Sequence, residues 1–162
     1  NDLYRDKSPR PKFVLGFSTR YTLDEWSLGT TLRANIGNYM YNNLATGAVR
    51  SNMFNSLGYL ANTLSEITKS GFIYGQPSSD YFVQNASFLK MDNVNLSYDF
   101  GRIINKKVGL RVNANVQNVF TVTKYPGLNP DLPWYSSVGY NGVDNFQAIL
   151  PRTYLVGVDL SL

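Results

Sequence analysis

Five charged residues, Arg20, Arg33, Asp99, Arg111 and Asp159, lie inside stretches where apolar and polar residues alternate, and all five fall on the polar phase. Guanidinium and carboxylate groups sorted onto one sheet face can build an ion-pair network in a hydrated channel. A second set, Tyr125, Asn129, Asp131, Trp134, Tyr135 and Tyr140, falls in one long Pro- and Gly-punctuated connection. Its rings suit stacking on sugars, and its amide and carboxylate groups suit bonding to hydroxyls. The same aromatics could instead pack the loop onto itself. Histidine and cysteine are both absent, which removes imidazole bases, thiolate nucleophiles, disulfides and sulfur- or nitrogen-ligated zinc. Asp99 and Asp159 lack a nucleophile or metal partner, so no enzyme and no cofactor is expected. Asn129, Asp131 and Asp144 are the oxygens a calcium ion would use, although the spaced acidic loop of such sites is missing.

Period-two alternation supplies the elements that position these groups. In the first stretch, Phe13, Leu15, Phe17, Thr19, Tyr21 and Leu23 share one face, opposite Val14, Gly16, Ser18, Arg20 and Thr22. A short turn at Asp24-Glu25 leads to the second, Trp26 to about Ile36. The third emerges around Phe88 and settles into phase with Val94, Leu96, Tyr98 and Phe100; Leu89 and Met91 are apolar on the opposite phase, which predicts a bulge. A turn over Gly101 to Lys107 leads to the fourth, with Val108, Leu110, Val112, Ala114 and Val116 on its apolar side. The fifth puts Tyr154, Val156, Val158, Leu160 and Leu162 opposite Thr153, Leu155, Gly157, Asp159 and Ser161.

Alternation alone suits either one sheet of a soluble sandwich or a lipid-facing wall. The polar phase is rich in Asn, Ser, Thr, Gly and Gln and poor in Lys and Glu, which fits a hydrated lumen better than an open surface. The charged share of 16% is low and the aromatic share of 14% high, with twelve Tyr and nine Phe. Connections alternate short, long, short, long, as in outer-membrane barrels with short periplasmic turns and long outer loops. That rhythm places the C-terminus in the periplasm and Tyr21, Trp26 and Tyr98 near the periplasmic interface. In the first long connection Met53, Leu57, Leu60, Leu64 and Ile67 follow Ser51 at helical spacing, and Gly71 is a stop. The net charge of +4 sits in loop clusters such as Lys7, Arg10 and Lys12, which reads as solvated charge and not as a nucleic-acid stripe.

Four ordered segments carry a family resemblance over nearly the whole chain. Ser79 to Phe100, SDYFVQNASFLKMDNVNLSYDF, resembles the late-barrel S-D-[FYW]-[FW]-V-x-[DN]-x-S-[FY]-[LI] run of SusC-like TonB-dependent outer-membrane transporters. Asn115 to Asp131, NVQNVFTVTKYPGLNPD, resembles the next strand and loop. Pro151-Arg152-Thr153-Tyr154 with Gly157-Val158-Asp159-Leu160 resembles the closing strand, and Pro11-Lys12-Phe13 through Gly16-Phe17 an earlier one. The resemblance implies an all-β fold, an antiparallel transmembrane β-barrel segment of about five C-terminal strands from a roughly 22-stranded plugged barrel. Residues 1–162 are then the C-terminal part of the receptor barrel, with plug and N-terminal extension outside them. Leu162 stands where such barrels usually end in an aromatic residue.

The function so implied is TonB-powered import of glycans or peptides across the outer membrane of a Gram-negative bacterium of the Bacteroidetes type. Its partners would be a SusD-like surface lipoprotein, the TonB complex, outer-membrane lipid and the substrate, with no nucleic acid. A secreted β-sandwich carbohydrate-binding module and a passive porin fragment are the alternatives.

Overall fold

The structure, a computed structural model, describes residues 7–48, 58, 65–75, 79–103, 107–131, 142–145 and 150–161. They fall into two compact units: the wall, Phe13–Asn35, Phe88–Thr123 and Leu150–Leu162, and the loop unit, Asn1–Lys12, Ile36–Ser87 and Lys124–Ile149.

The wall is a five-stranded sheet in the order β1 (Phe13–Leu23), β2 (Trp26–Ile36), β5 (Phe88–Ile103), β6 (Val108–Thr123) and β7 (Thr153–Ser161). The first two form a hairpin through Asp24-Glu25, where Asp24 takes a φ of 50°, a conformation that Asp tolerates better than most residues. From β2 onward every pairing is antiparallel. The apolar phase is left uncovered: Phe13, Phe17, Tyr154, Val158 and Leu160 are each at least 60% exposed, and Val156 is 80% exposed. A sandwich sheet would bury that face, whereas a barrel wall presents it to lipid. At one end Trp26 and Tyr98 are register partners whose rings meet edge-to-face at 4.7 Å, and Tyr98 meets Phe100 at 4.6 Å. This is the aromatic band that the residues predict near the Asp24-Glu25 end.

The predicted bulge is centred on Asp92. Thr31 pairs with Asn93 and Leu32 with Met91, so Asp92 is skipped in the backbone register with β2. On the other side Met91 faces Phe120 and Asn93 faces Gln117, leaving Asn118 and Val119 across from Asp92. Asn118 accommodates this with a φ of 53°. The extra residue reverses the phase of β5 above it: Phe88 and Lys90 are buried, while Leu89 shares the exposed face. Backbone groups disturbed by the bulge find new partners. Arg152 donates through Nη2 to the Val119 carbonyl at 2.6 Å, and Asn118 donates through Nδ2 to the Pro151 carbonyl at 3.0 Å.

One boundary differs from the expectation. Gly101 does not open the turn; β5 continues to Ile103 through a second irregularity between Asp99 and Gly101. Gly101 has a φ of 68°, and its N–H donates to Asp99 Oδ1 at 2.9 Å, so a side-chain acceptor stands in for the ladder at that point.

In the loop unit, β3 (Tyr39–Tyr41) pairs antiparallel with β4 (Val83–Asn85). Segment 142–144 runs alongside β3, with Tyr41 donating to the Gly142 carbonyl at 2.8 Å and Asp144 donating to the Tyr41 carbonyl at 2.9 Å. Met40, Ala86 and Tyr125 form a small core. The short helix α1 (Asn43–Thr46) is capped by the Asn42 side chain, which accepts from Ala45 N–H. Asp80–Phe82 is a single 3₁₀ turn capped by Ser79; its Phe82 is fully buried among the rings of Tyr41, Phe72 and Tyr81. Of the predicted helix over 51–68, only its end is described, as α2 (Glu66–Ser70), followed by Gly71 with a φ of 66°. Met53, Leu57, Leu60 and Leu64 lie outside the described residues.

Candidate functional site

The polar face of the wall gathers four of the five predicted charges near its Asp24-Glu25 end. Register explains how. Arg111 on β6 is the direct partner of Asp99 on β5 and of Asp159 on β7, so a carboxylate, a guanidinium and a carboxylate form one cross-strand row. Arg111 Nη2 lies 2.8 Å from Asp99 Oδ2. Asp159 is held differently, accepting at Oδ2 from Asn113 Nδ2 at 3.0 Å. Gly157 makes this possible, because a Cβ there would come within 2.7 Å of Asn113 Oδ1. Asp99 N–H also donates to the Glu25 carbonyl at 2.9 Å, which ties the row to the β1–β2 turn.

These groups line an open cavity of about 400 Å³ together with Arg20, Asp24, Glu25 and neutral Ser, Thr and Asn side chains. Its lining has four carboxylates against two guanidiniums, and the Arg111–Asp99 pair is more than two-fifths exposed on both sides. Such a surface is suited to holding water and charge.

Arg33 is the exception to the predicted network. Its Nε lies 2.7 Å from Asp92 Oδ2, and Lys90 Nζ lies 3.7 Å from the other oxygen of the same carboxylate. Arg33 thus belongs to a separate cluster at the bulge, with its guanidinium 5.8 Å from the centre of the Phe88 ring. Asp92 was hidden from sequence reasoning because uninterrupted alternation assigns it to the apolar face. The signal was the acidic residue standing where the phase reverses.

In the second predicted set, Tyr125 is buried, 5% exposed, and its hydroxyl donates to Asp144 Oδ2 at 2.8 Å. Its ring therefore serves the loop core and presents no stacking face. Burial, reinforced by the Asp144 carboxylate, pushes the phenol pKa well above its ordinary value near 10. Gly127 leaves room for the ring, since a Cβ at Gly127 would collide with it. Asn129 closes an Asx turn, its Oδ1 accepting from Asp131 N–H at 3.0 Å. Trp134, Tyr135 and Tyr140 lie outside the described residues. No group of three acidic side chains able to hold a metal occurs among the described residues.

The sheet, its uncovered apolar face and its charged polar face define a segment of a membrane β-barrel wall. The chain belongs to the SusC-like TonB-dependent receptors. It is 32% identical over 98% of its length to TonB-dependent receptor SusC of Bacteroides thetaiotaomicron, covering 16% of that protein. A TonB-dependent receptor of Formosa agariphila is 26% identical over 76% of the chain, which spans 13% of that relative. Among solved structures, the RagAB peptide importer in the open-open state matches 98% of the chain and 18% of its own, with a TM-score of 0.70 at 24% identity. The closed-closed state gives 0.67 at 26% identity over 96% of the chain. No protein-family model matches. The chain thus spans about a sixth of the length of the first of these curated relatives.

Two outcomes test the geometry. Replacing Arg111 by Gln leaves Asp99 and Asp159 facing one another across a neutral strand, so the melting temperature of the barrel falls at low salt. The deficit shrinks when ionic strength rises toward about 0.5 M, because exposed charges are screened. Replacing Tyr125 by Phe strips a buried carboxylate oxygen of its donor and weakens the loop unit by about 1–3 kcal/mol, read as faster limited proteolysis of the loops. With wild-type Tyr125 the sign of the pH dependence follows from the raised phenol: the loop is at full stability below pH 10 and loses stability as pH rises above it, because only the unfolded phenol ionises there.

Proposed function

We propose that this chain forms part of the wall and outer loops of a TonB-powered outer-membrane importer of glycans or peptides, working with a SusD-like lipoprotein at its mouth. The observation that carries the reading is the two-faced wall: an uncovered apolar face backed by a charged, hydrated one. A soluble binding module has no use for such a face. The names of the relatives supply the class, a receptor coupled to TonB, and one structural neighbour is a peptide importer.

In this reading the Asp24-Glu25 hairpin and the connection at 104–107 point to the periplasm, as does the C-terminus. At 16 residues each, β5 and β6 exceed the roughly 9–11 needed to cross a bilayer, so they extend beyond the lipid. Substrate contact falls to the loop residues Asn129 and Asp131 and the aromatics Trp134, Tyr135 and Tyr140. The charge row of Arg20, Asp99, Arg111 and Asp159 faces the lumen near the periplasmic exit.

The reading is tested by deleting the gene for the full-length protein and measuring growth on single glycans and on peptides. Growth on one substrate class should fail and return with the intact gene, but not when TonB is disabled. Unchanged growth on every substrate, or restored uptake without TonB, contradicts it. A full-length protein that stays monomeric in water without detergent contradicts it as well.

A further inference from the structure

Lys90 is buried, 4% exposed, and its direct partner across the β2–β5 pairing is another cation, Arg33. Like charges set opposite one another on one sheet face are destabilising, and burial of one of them adds to the penalty. Asp92 relieves both. Its Oδ2 lies 2.7 Å from Arg33 Nε and its Oδ1 3.7 Å from Lys90 Nζ. The residue that β5 carries in excess over β2 is therefore the one whose carboxylate bridges the two cations.

The register on the near side of the bulge shows what the extra residue prevents. Thr31 pairs with Asn93, and carrying that pairing on without a break sets Asp92 against Leu32, Met91 against Arg33, Lys90 against Ala34 and Leu89 against Asn35. A one-residue offset moves every side chain to the opposite face. Asp92 and Lys90 would then join Leu32 and Ala34 on the apolar phase, while Leu89 and Met91 would turn to the polar one. Charge on a lipid face is most destabilising far from the interfaces. Lys90, two residues from the start of β5 and carried on a long stem, can reach toward an interface; the short Asp92 carboxylate cannot. The backbone accommodates the bulge, since Thr30 Oγ1 donates to the Asn93 carbonyl at 3.0 Å.

We propose that the Asp92 carboxylate fixes the register of upper β5, as a positioning residue that acts through Arg33 and Lys90. Its charge keeps residue 92 out of the apolar phase and holds the two cations side by side on the polar one. Without that charge the bulged register is left with Arg33 facing Lys90, and the unbroken register no longer brings a carboxylate into lipid. On the importer reading given above, Asp92 thereby decides which β5 side chains line the transport path: Phe88 and Lys90, in place of Leu89 and Met91.

The test uses the full-length protein in bilayers, with single spin-labelled cysteines at positions 89, 91, 93, 94, 95 and 96 and contact with oxygen or a nickel chelate as the readout. In the wild type, 89, 91, 94 and 96 should favour oxygen and 93 and 95 nickel. In Asp92→Val the preference at 89 and 91 should reverse to nickel while the other four stay as they were; Asp92→Glu should keep the wild-type pattern. General destabilisation would blur all six positions alike, so a reversal confined to 89 and 91 is specific to register. An unchanged pattern in Asp92→Val, or a reversal in Asp92→Glu, overturns the proposal. Should Asp92→Val not fold, Asp92→Thr carries the same decision, because the apolar phase of β2 already holds Thr30. Positions 94 and 96 identify the other kind of failure: loss of oxygen preference there in the wild type would refute the lipid-facing wall itself, and the proposal with it.

Discussion

A strand wall standing in lipid has to close its backbone hydrogen bonds inside the sheet while sorting its side chains into two phases, one for hydrocarbon and one for water. The charge row of the wall follows from keeping that sorting intact. Arg111 meets both Asp99 and Asp159 because strict alternation and antiparallel register leave the polar phase of three neighbouring strands in one row. Glycine enters the polar phase where a neighbouring side chain must lie across the strand, as Gly157 does for Asn113.

The bulge at Asp92 is where the sorting changes sign. One inserted residue on β5 against two on β6 turns Phe88 and Lys90 onto the polar side and sends Leu89 to the apolar side. The cost is a broken ladder, and the structure offsets it with Asn118 and Arg152, which bond carbonyls on and beside the bulge. The gain is a second charged site, Arg33 with Asp92 and Lys90, well separated along β5 from the Asp99 row. Bulges commonly re-aim side chains in this way at functional positions.

Much of this was legible in the chain. The bounds of β1 and β2, the two-residue turn between them, the reversal of phase in β5 and the stop at Gly71 all follow from periodicity and turn chemistry. What escaped did so for physical reasons. Tyr39–Tyr41 and Val83–Asn85 are too short to show a period, and their pairing spans more than forty residues. Gly101 has the composition of a turn but the role of a bulge, which only the Asp99 carboxylate beside it decides. The bond from Tyr125 to Asp144 joins residues 19 apart with no pattern between them. The motifs that carry the family resemblance turn out to be scaffold: Ser79 caps a turn, Phe82 anchors a core, and Tyr125 with Gly127 fixes a loop.

The most direct measurement of the central claim places spin labels along β7, which has no cysteine of its own. Single cysteines placed in turn from Tyr154 to Ser161 of the full-length protein in bilayers, and spin-labelled, report contact with lipid-soluble oxygen or with a water-soluble nickel chelate. A lipid-facing wall requires the two signals to alternate residue by residue, with oxygen favoured at positions 154, 156, 158 and 160 and nickel at 155, 157, 159 and 161. Equal access to nickel at both phases would mean that the apolar face meets water, and would contradict the account.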